Sequence, residues 1–238
     1  MSGPLEPFPE EFERGLAVVA HPDDLEYGGA AAIARWTAQG RQIAYLLVTR
    51  GEAGIDTLPP AECGPLREAE QRAAAAEVGV DVVEFLDHPD GLIEYGVPLR
   101  RDIAAAIRRH RPDVVITVNH RETFPGGHYN MVDHRVVGQA TLDAVRDAAN
   151  RWLFPEVGEP WSGVRQVLVL ASPLATHAVD VEEQFDRGVA SLRAHKAYLE
   201  ALGGPMADPE AFLRGAAEQT AARLPGARLA TAFEVIAT

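Results

Sequence analysis

The stretch that decides the fold lies near the N-terminus, where residues 15–24 read GLAVVAHPDD. Its first six residues are small or apolar and fit a buried strand, and its last four are a histidine, a proline and two aspartates. An Ala-rich amphipathic segment follows at 28–39, and the apolar run QIAYLLVT follows at 42–49. Strand, loop, helix and strand in this order indicate a βα unit in a parallel sheet. The sequence therefore predicts that residues 21–24 lie in the loop that leaves the first strand.

The same alternation of short β-branched runs and longer helical patterns continues along the chain. Further strands are predicted at 82–86, 114–118, 167–171, 177–181 and 229–236. Further helices are predicted at 66–78, 99–110, 132–150, 182–202 and 209–224. The predicted fold class is α/β with a mostly parallel central sheet. Because no low-complexity linker interrupts the chain, we expect residues 1–238 to form a single domain.

Charge and composition exclude several classes of function. The chain carries 22 Lys and Arg against 35 Asp and Glu, a net charge of −13, and it stays negative even with all 8 histidines protonated. A negative surface repels phosphate backbones and anionic lipid headgroups, so we expect neither a nucleic acid nor a membrane as a partner. The hydrophobic share of 47% and the charged share of 24% are those of a globular protein and exclude a disordered chain.

Two further observations concern the cellular compartment. No run approaches the roughly 18 apolar residues of a membrane span, and the first residues do not have the charge and apolar pattern of a signal peptide. The single cysteine, Cys63, lies in the stretch PPAECGP at 59–65, which predicts a loop, and it cannot form an internal disulfide. We therefore expect a soluble protein of the reducing cytoplasm.

The cluster at residues 21–24 has the chemistry of a metal site. Ligands of parallel α/β sheets bind where the loops leave the carboxyl ends of the strands. His21 and Asp24 offer an imidazole and a carboxylate three residues apart, on a turn that Pro22 stiffens. Two adjacent carboxylates repel each other, so a positive group is needed to keep both ionised. Asp23 is then free to act as a base, although a single aspartate here could instead cap the following helix.

A third ligand is expected from another loop at the same edge of the sheet. His134 lies at the start of the predicted helix 132–150, which follows the strand at 114–118 through a polar loop at 119–130. In a doubly wound sheet this strand neighbours the first one, so His134 can face His21. Two histidines, one aspartate and an open position are typical of a hydrolytic zinc site. A lone histidine early in a helix is more often a surface residue, so the prediction depends on the pairing.

Four motifs in order make a family resemblance specific. They are AHPDD at 20–24, TRGEAG at 49–54, REAE at 67–70 and DHR at 133–135. Together, over roughly residues 15–150, they resemble the LmbE-like (PIG-L) family of zinc-dependent N-acetylglucosaminyl deacetylases. The family has a Rossmann-like three-layer α/β sandwich and hydrolyses the N-acetyl group of amino-sugar conjugates.

The resemblance implies a set of roles for residues of this chain. It implies Zn²⁺ bound to His21, Asp24 and His134, with Asp23 as the general base. It also implies that the substrate is a small amino-sugar conjugate or an N-acylated natural product. By resemblance, substrate contacts fall on Glu52, Arg67 and Asp90, but each could equally form a surface ion pair or a turn. The late His195 matches a histidine that relatives often carry near the site, or it is a plain helix-face residue.

The chain departs from the family at one position. Many members carry a histidine three residues before the last metal ligand, where it assists the reaction as a cation, and this chain has Met131. A thioether cannot donate a proton, so this role is either vacant or filled by another group. Tyr129 matches a tyrosine that some members bring to the oxyanion, and His128 or His120 could enter from the same loop. The alternative for all three is a solvated loop residue. Asp133 would then cap the helix or orient a ligand.

Three other interpretations are considered. A nucleotide-binding oxidoreductase would need a Gly-rich turn in place of HPDD and an acidic residue after the strand at 42–49, and the sequence has neither. A homologue that binds a metal or glycoconjugate but lost turnover with Met131 remains open, as does a hydrolase for another acyl group. The helices after residue 182 and the last strand are candidate subunit contacts, so a homo-oligomer also stays open.

Overall fold

The computed structural model describes residues 3–238 and has one eight-stranded sheet with strand order β1-β7-β8-β6-β5-β2-β3-β4. β8 runs antiparallel to its neighbours β6 and β7, and all other pairs are parallel. The mostly parallel sheet is therefore confirmed. The strands are β1 (Glu6–Pro7), β2 (Arg14–Val19), β3 (Gln42–Leu47), β4 (Val82–Phe85), β5 (Val114–Thr117), β6 (Gln166–Leu170), β7 (His177–Asp180) and β8 (Ala230–Ala237).

Helices cover both faces of this sheet. From β2 the chain continues to β3 and β4 on one side of the sheet, and then returns to β5 and β6 on the other side of β2. Because crossovers between parallel strands are right-handed, the helices of these two runs lie on opposite faces of the sheet. Accordingly α3 packs against α4, whereas α1 and α2 pack against α5. Within residues 3–238, no helix combines the length and apolarity needed to cross a bilayer. The helices are α1 (Ala30–Ala38), α2 (Pro60–Glu77), α3 (Val97–His110), α4 (Val132–Ala149), α5 (Phe185–Arg193), α6 (Lys196–Leu202) and α7 (Pro209–Ala221).

The central strand β2 carries the first part of the site. Leu16, Ala17 and Val18 have no exposed surface, because helices cover both faces of the strand. β2 pairs with β3 on one side and with β5 on the other, which makes its carboxyl end the point where the strand order reverses. Such a switch point opens a crevice between the loops of neighbouring strands. Residues 20–24 leave β2 at this crevice.

Helix α4 brings the second part of the site to the same edge. A Cβ atom added to Gly138 would lie 2.5 Å from the carbonyl oxygen of Val118, at the end of β5. Only glycine allows this close approach of helix and strand. His134 lies one turn earlier in α4 and is thereby held above the end of β5.

The structure corrects three local predictions. The predicted helix 182–202 is broken at His195, whose ψ of 58° cannot continue a helix, so a 3₁₀ turn, α5 and α6 replace it. The loop predicted at 59–65 is wrong: α2 begins at Pro60, a residue well suited to a first helical position. Cys63 is consequently buried in α2 and not in a loop. The two-residue strand β1 was not predicted.

Candidate metal centre and active site

Asp24 is fixed by the backbone that precedes it. Its Oδ2 atom accepts hydrogen bonds from the backbone N–H groups of Ala20 and His21, both at 2.9 Å. These bonds hold the carboxylate against the end of β2 and direct its other oxygen, Oδ1, toward the two histidines. Burial alone would raise the pKa of Asp24, but the positive charges of His134 and His21 outweigh it and hold the pKa well below its usual range. Asp24 is therefore held as an anion.

The atoms predicted to bind the metal, from His21, Asp24 and His134, lie close together. Nε2 of His134 lies 2.9 Å from Oδ1 of Asp24, and Nδ1 of His21 lies 3.7 Å from the same oxygen. The two imidazole rings are 5.3 Å apart between centroids. Ligand atoms about 2.0–2.2 Å from a tetrahedral zinc ion lie roughly 3.3–3.6 Å from one another. The observed distances bracket this range, so His21, Asp24 and His134 form a group that could hold a metal ion.

His134 carries an unpaired buried nitrogen that points to the same conclusion. Its Nδ1 lies 3.2 Å from Oδ1 of Asn130, which assigns the ring proton to Nδ1. Its Nε2 is buried and has no hydrogen-bond partner among residues 3–238, although Asp24 is close. A buried polar atom without a partner is costly unless a ligand occupies it. The residues therefore fit a zinc ion by both spacing and donor type.

His21 is oriented by carboxylates behind it. Its Nε2 lies 3.1 Å from Oδ1 of Asp90 and 3.2 Å from Oδ2 of Asp133. Metal-binding histidines commonly donate their second N–H to such a carboxylate, which turns the other nitrogen toward the metal. Burial would lower the pKa of His21, but Asp24 and the hydrogen bonds to Asp133 and Asp90 together raise it well above its usual value. The surroundings of His21 thus favour positive charge.

A second group, His21 with Asp90 and Asp133, is also close enough for a metal ion. Asp133, however, is fully buried and already accepts hydrogen bonds from the backbone N–H groups of Gly91 (2.7 Å) and Ile93 (3.3 Å). Its oxygens are therefore satisfied without an ion. Of the two roles expected for Asp133, this geometry supports the orientation of a ligand.

Asp23 lies beside the ligand group in an unusual backbone conformation. Its φ of 90° is rare for a residue with a side chain and costs about 1–3 kcal/mol. Its carboxylate pairs with Nη2 of Arg67 at 3.1 Å. Burial raises the pKa of Asp23 to about 6; Arg67 opposes this rise and Asp24 adds to it. A carboxylate with a pKa near neutrality can take up and release a proton at physiological pH.

Arg67, Glu52 and Asp90 are linked by hydrogen bonds and close contacts to residues of the site. Arg67 is buried and donates to the backbone carbonyls of Pro22 (2.6 Å) and Gly51 (3.1 Å) as well as to Asp23. The half-buried Glu52 accepts a hydrogen bond from the backbone N–H of Asp90 at 2.9 Å. All three predicted substrate residues are therefore connected to the site. The polar atoms of Arg67 and Asp90, however, contact groups of the protein itself.

The position of Arg67 explains why the motif at 49–54 has glycine at residues 51 and 54. A Cβ atom at either position would lie 2.2 Å from Nη1 of Arg67. The guanidinium group therefore passes directly over this loop, and any side chain there would displace it.

The predicted oxyanion donors lie outside this group. Tyr129 is 71% exposed, and the guanidinium group of Arg135 lies over its ring at 4.9 Å. His128 is also exposed, and Met131 is 44% exposed at the start of α4. His120 is half-buried, and burial and the charge of Arg121 lower its pKa. Among the described residues, neither Tyr129 nor His128 has a side-chain hydrogen bond to the ligand group.

The structure adds residues that the sequence analysis did not assign. Asn130 holds His134, and its position four residues earlier was a usable signal. Gln71 and Glu26 lie behind Asp23, and the ring of Tyr198 lies 4.3 Å from the guanidinium carbon of Arg67. Tyr198 lies in α6, just after the break at His195, and no local pattern connects it to residue 67.

Comparison with known proteins assigns this arrangement to a family. The PIG-L family model, described as GlcNAc-PI de-N-acetylase, matches residues 16–145. A 1D-myo-inositol 2-acetamido-2-deoxy-alpha-D-glucopyranoside deacetylase from Streptomyces avermitilis is 30% identical over 62% of this chain and 58% of its own length. A diacetylchitobiose deacetylase from Thermococcus kodakarensis is 31% identical over 59% of this chain and 51% of its own length. The chain thus spans less than two thirds of the length of these relatives.

The fold agrees with a solved structure. The N,N'-diacetylchitobiose deacetylase from Pyrococcus horikoshii superposes with a TM-score of 0.84 over 96% of this chain and 85% of that one, at 19% sequence identity. At this identity the likeness concerns the fold alone. The family match covers more than half of the chain and includes the loops that carry His21 and His134. This chain is a member of the PIG-L (LmbE-like) family.

Proposed function

We propose that this chain is a zinc-dependent hydrolase that removes the N-acetyl group, or a related N-acyl group, from an amino-sugar conjugate. The observation that carries the proposal is the unpartnered, buried Nε2 of His134 beside Asp24 and His21. Zinc bound there would polarise the amide carbonyl and lower the pKa of bound water toward about 7. The deacetylase names of the relatives support the reaction class.

Asp23 is the proposed general base. Its carboxylate is adjacent in sequence to the ligand Asp24, is anchored by Arg67, and has a pKa raised to about 6. It can accept the proton of the attacking water near neutral pH. The carboxyl group formed in this step can then return the proton to the nitrogen of the departing amine. One residue thereby serves both halves of the amide hydrolysis.

Stabilisation of the oxyanion is assigned to the loop between β5 and α4. Tyr129 and His128 are the proposed donors, because this loop runs directly into the helix that carries His134. Both are exposed, so we expect substrate binding to bring one of them over the site. A donor at this point would replace the function that Met131 cannot perform.

Substrate recognition is assigned to the rim of the crevice. Glu52 is half-buried and keeps part of its surface toward solvent, where a carboxylate can accept hydrogen bonds from sugar hydroxyl groups. Arg67 and Asp90 use their polar atoms on Asp23 and His21, so we propose that they act on the substrate through these residues. We also propose that the chain is a single domain, because β8 pairs with β6 and β7 of the same sheet.

A substrate panel tests the reaction. Purified protein is loaded with zinc and incubated with N-acetylated and N-acylated amino sugars and their conjugates, and free amine and carboxylic acid are quantified. The wild type should release both from at least one substrate, and Asp23→Asn should keep its zinc but lose about 10²–10⁴-fold in rate. If zinc binds to both proteins and neither releases amine from any substrate, the binding-only interpretation replaces the hydrolase.

A further inference from the structure

Two side chains of helix α2 hold the same peptide group, the one that joins Pro22 to Asp23. Nη2 of Arg67 donates to the Pro22 carbonyl oxygen at 2.6 Å, and Oε1 of Gln71 accepts from the Asp23 N–H at 2.9 Å. Arg67 and Gln71 lie four residues apart and therefore on one face of the helix. We name this pair of contacts the peptide clamp. It holds both polar ends of one peptide unit.

The clamp holds the backbone of Asp23, which is strained. Asp23 has a φ of 90°, a conformation that persists only where the surroundings impose it. The orientation of the Pro22–Asp23 peptide sets the direction of the Asp23 side chain. Arg67 also pairs with the Asp23 carboxylate, so the backbone and the side chain are held by the same helix.

Glu26 determines which end of the Gln71 amide faces Asp23. Nε2 of Gln71 donates to Oε1 of Glu26 at 3.0 Å, and both side chains are almost fully buried. A glutamine amide has a donor end and an acceptor end, and a carboxylate can accept only from the donor end. Glu26 therefore turns the Gln71 oxygen toward the Asp23 N–H. On the other side of Glu26, Nε2 of His195 lies 3.6 Å from its Oε2.

We propose that Gln71 and Glu26 are positioning residues of the deacylation reaction, which act by fixing the Pro22–Asp23 peptide and hence the carboxylate of Asp23. This inference rests on the proposed function, in which Asp23 is the base. Neither residue belongs to the ligand group, and among residues 3–238 neither side chain forms a hydrogen bond to the side chain of His21, Asp24 or His134. Their removal should therefore reduce turnover while metal binding is retained.

Three variants test the proposal. Gln71→Met keeps the shape but removes both hydrogen bonds. The double variant Gln71→Glu/Glu26→Gln exchanges the two groups, so that residue 71 still accepts from the Asp23 N–H while residue 26 donates to residue 71. Gln139→Met, on the exposed face of α4, is the matched control. All three should retain one zinc ion per chain by elemental analysis.

Two measurements are made on these proteins. In Gln71→Met, kcat should fall about 10–100-fold with KM changed by less than about threefold, and the double variant should recover most of the loss. Hydrogen exchange of the Asp23 amide, followed by NMR, should accelerate about tenfold or more in Gln71→Met and return to the wild-type rate in the double variant.

The two measurements separate the inference from the proposed function. An unchanged exchange rate of the Asp23 amide in Gln71→Met would show that Gln71 does not hold the Pro22–Asp23 peptide. Faster exchange with an unchanged kcat overturns the positioning role. A wild type that hydrolyses no substrate overturns the proposed function, and with it the role in turnover, while the exchange rates still decide whether the clamp exists.

Discussion

Nε2 of His134 lies 2.9 Å from Oδ1 of Asp24, and the two atoms form no hydrogen bond. The distance would allow one, but the ring proton is assigned to Nδ1, which faces Asn130. In the neutral form of the ring, a nitrogen lone pair therefore faces a carboxylate oxygen in a buried position, and a cation bound to both atoms would relieve the repulsion. Asp24 lies in the loop after β2 and His134 lies in the first turn of α4, which follows the neighbouring strand β5.

Loss of this nitrogen should weaken zinc binding strongly. His134→Ala removes one of three protein ligands, and we expect its zinc affinity to fall by about 100-fold or more. Competition with a chromophoric chelator measures the affinity. His128→Ala is the matched control, because His128 is exposed and belongs to the preceding loop. Equal losses in the two variants would contradict the assignment of His134.

The carboxylate of Asp133, which contacts His21, should affect zinc affinity without binding the metal directly. Asp133→Asn keeps the volume but weakens the contact with Nε2 of His21, and removal of such outer contacts commonly costs about 10–100-fold in metal affinity. The same chelator competition applies. Asp102→Asn, which alters the contact of Asp102 with His88 and none with His21, should leave zinc affinity unchanged. A complete loss of zinc from Asp133→Asn would instead make Asp133 a direct ligand.

Arg108 should be essential for stability and not for the reaction. Its buried side chain donates to six backbone carbonyls that join α3 to the end of α4 and the segment after it. Arg108→Met leaves these acceptors unpaired and should cost at least about 3 kcal/mol of unfolding free energy, measured in urea. Arg109→Met should cost less than about 1 kcal/mol, because the ion pair of Arg109 with Glu84 is exposed. The acceptors are the carbonyl oxygens of Asp147, Ala148, Asn150, Leu153, Phe154 and Gly158.

Glu234 should make part of the stability depend on pH. Burial would raise its pKa, but hydrogen bonds from Arg121 and Ser172 outweigh burial and lower the pKa below its ordinary 4.5. A carboxylate with a lowered folded pKa contributes its full stability above about pH 4.5 and loses it as the pH falls through the folded pKa. Glu234→Gln should therefore unfold about 1–2 kcal/mol more easily at pH 7.

The difference between wild type and Glu234→Gln should shrink as the pH falls below about 4, as measured by urea unfolding across the pH range. Glu218→Gln, at an exposed position of α7, serves as control and should show no such dependence. If the difference in unfolding free energy stays constant down to pH 3, the charge of Glu234 contributes nothing to stability.

Much of the fold followed from the sequence because its signals are local. The β-branched run before His21 and the Ala-rich helix after it fix β2 and α1 within two residues. The break at His195 left no such signal, because neither proline nor glycine marks it. The Pro-rich stretch around Cys63 predicts a loop, although Pro60 begins a helix and Pro65 is accommodated inside it.

The convergence of His21, Asp24 and His134 was predictable for a related reason. His21 and Asp24 share one short loop, and the strand order alone brings His134 to them. The contacts that hold Asp23 were not predictable, because Gln71 and Tyr198 reach the site only through the packing of α2 and α6. Side chains that meet across such distances carry no mutual sequence spacing.

The central claim is that one metal ion, held by His21, Asp24 and His134, is required for amide hydrolysis. The most direct test titrates zinc into metal-free protein and measures amine release from the best substrate of the panel. The account predicts that the rate rises linearly and levels off at one equivalent of zinc per chain, and that His134→Ala shows no such rise. A rate that is the same in metal-free protein, or that does not depend on His134, would contradict it.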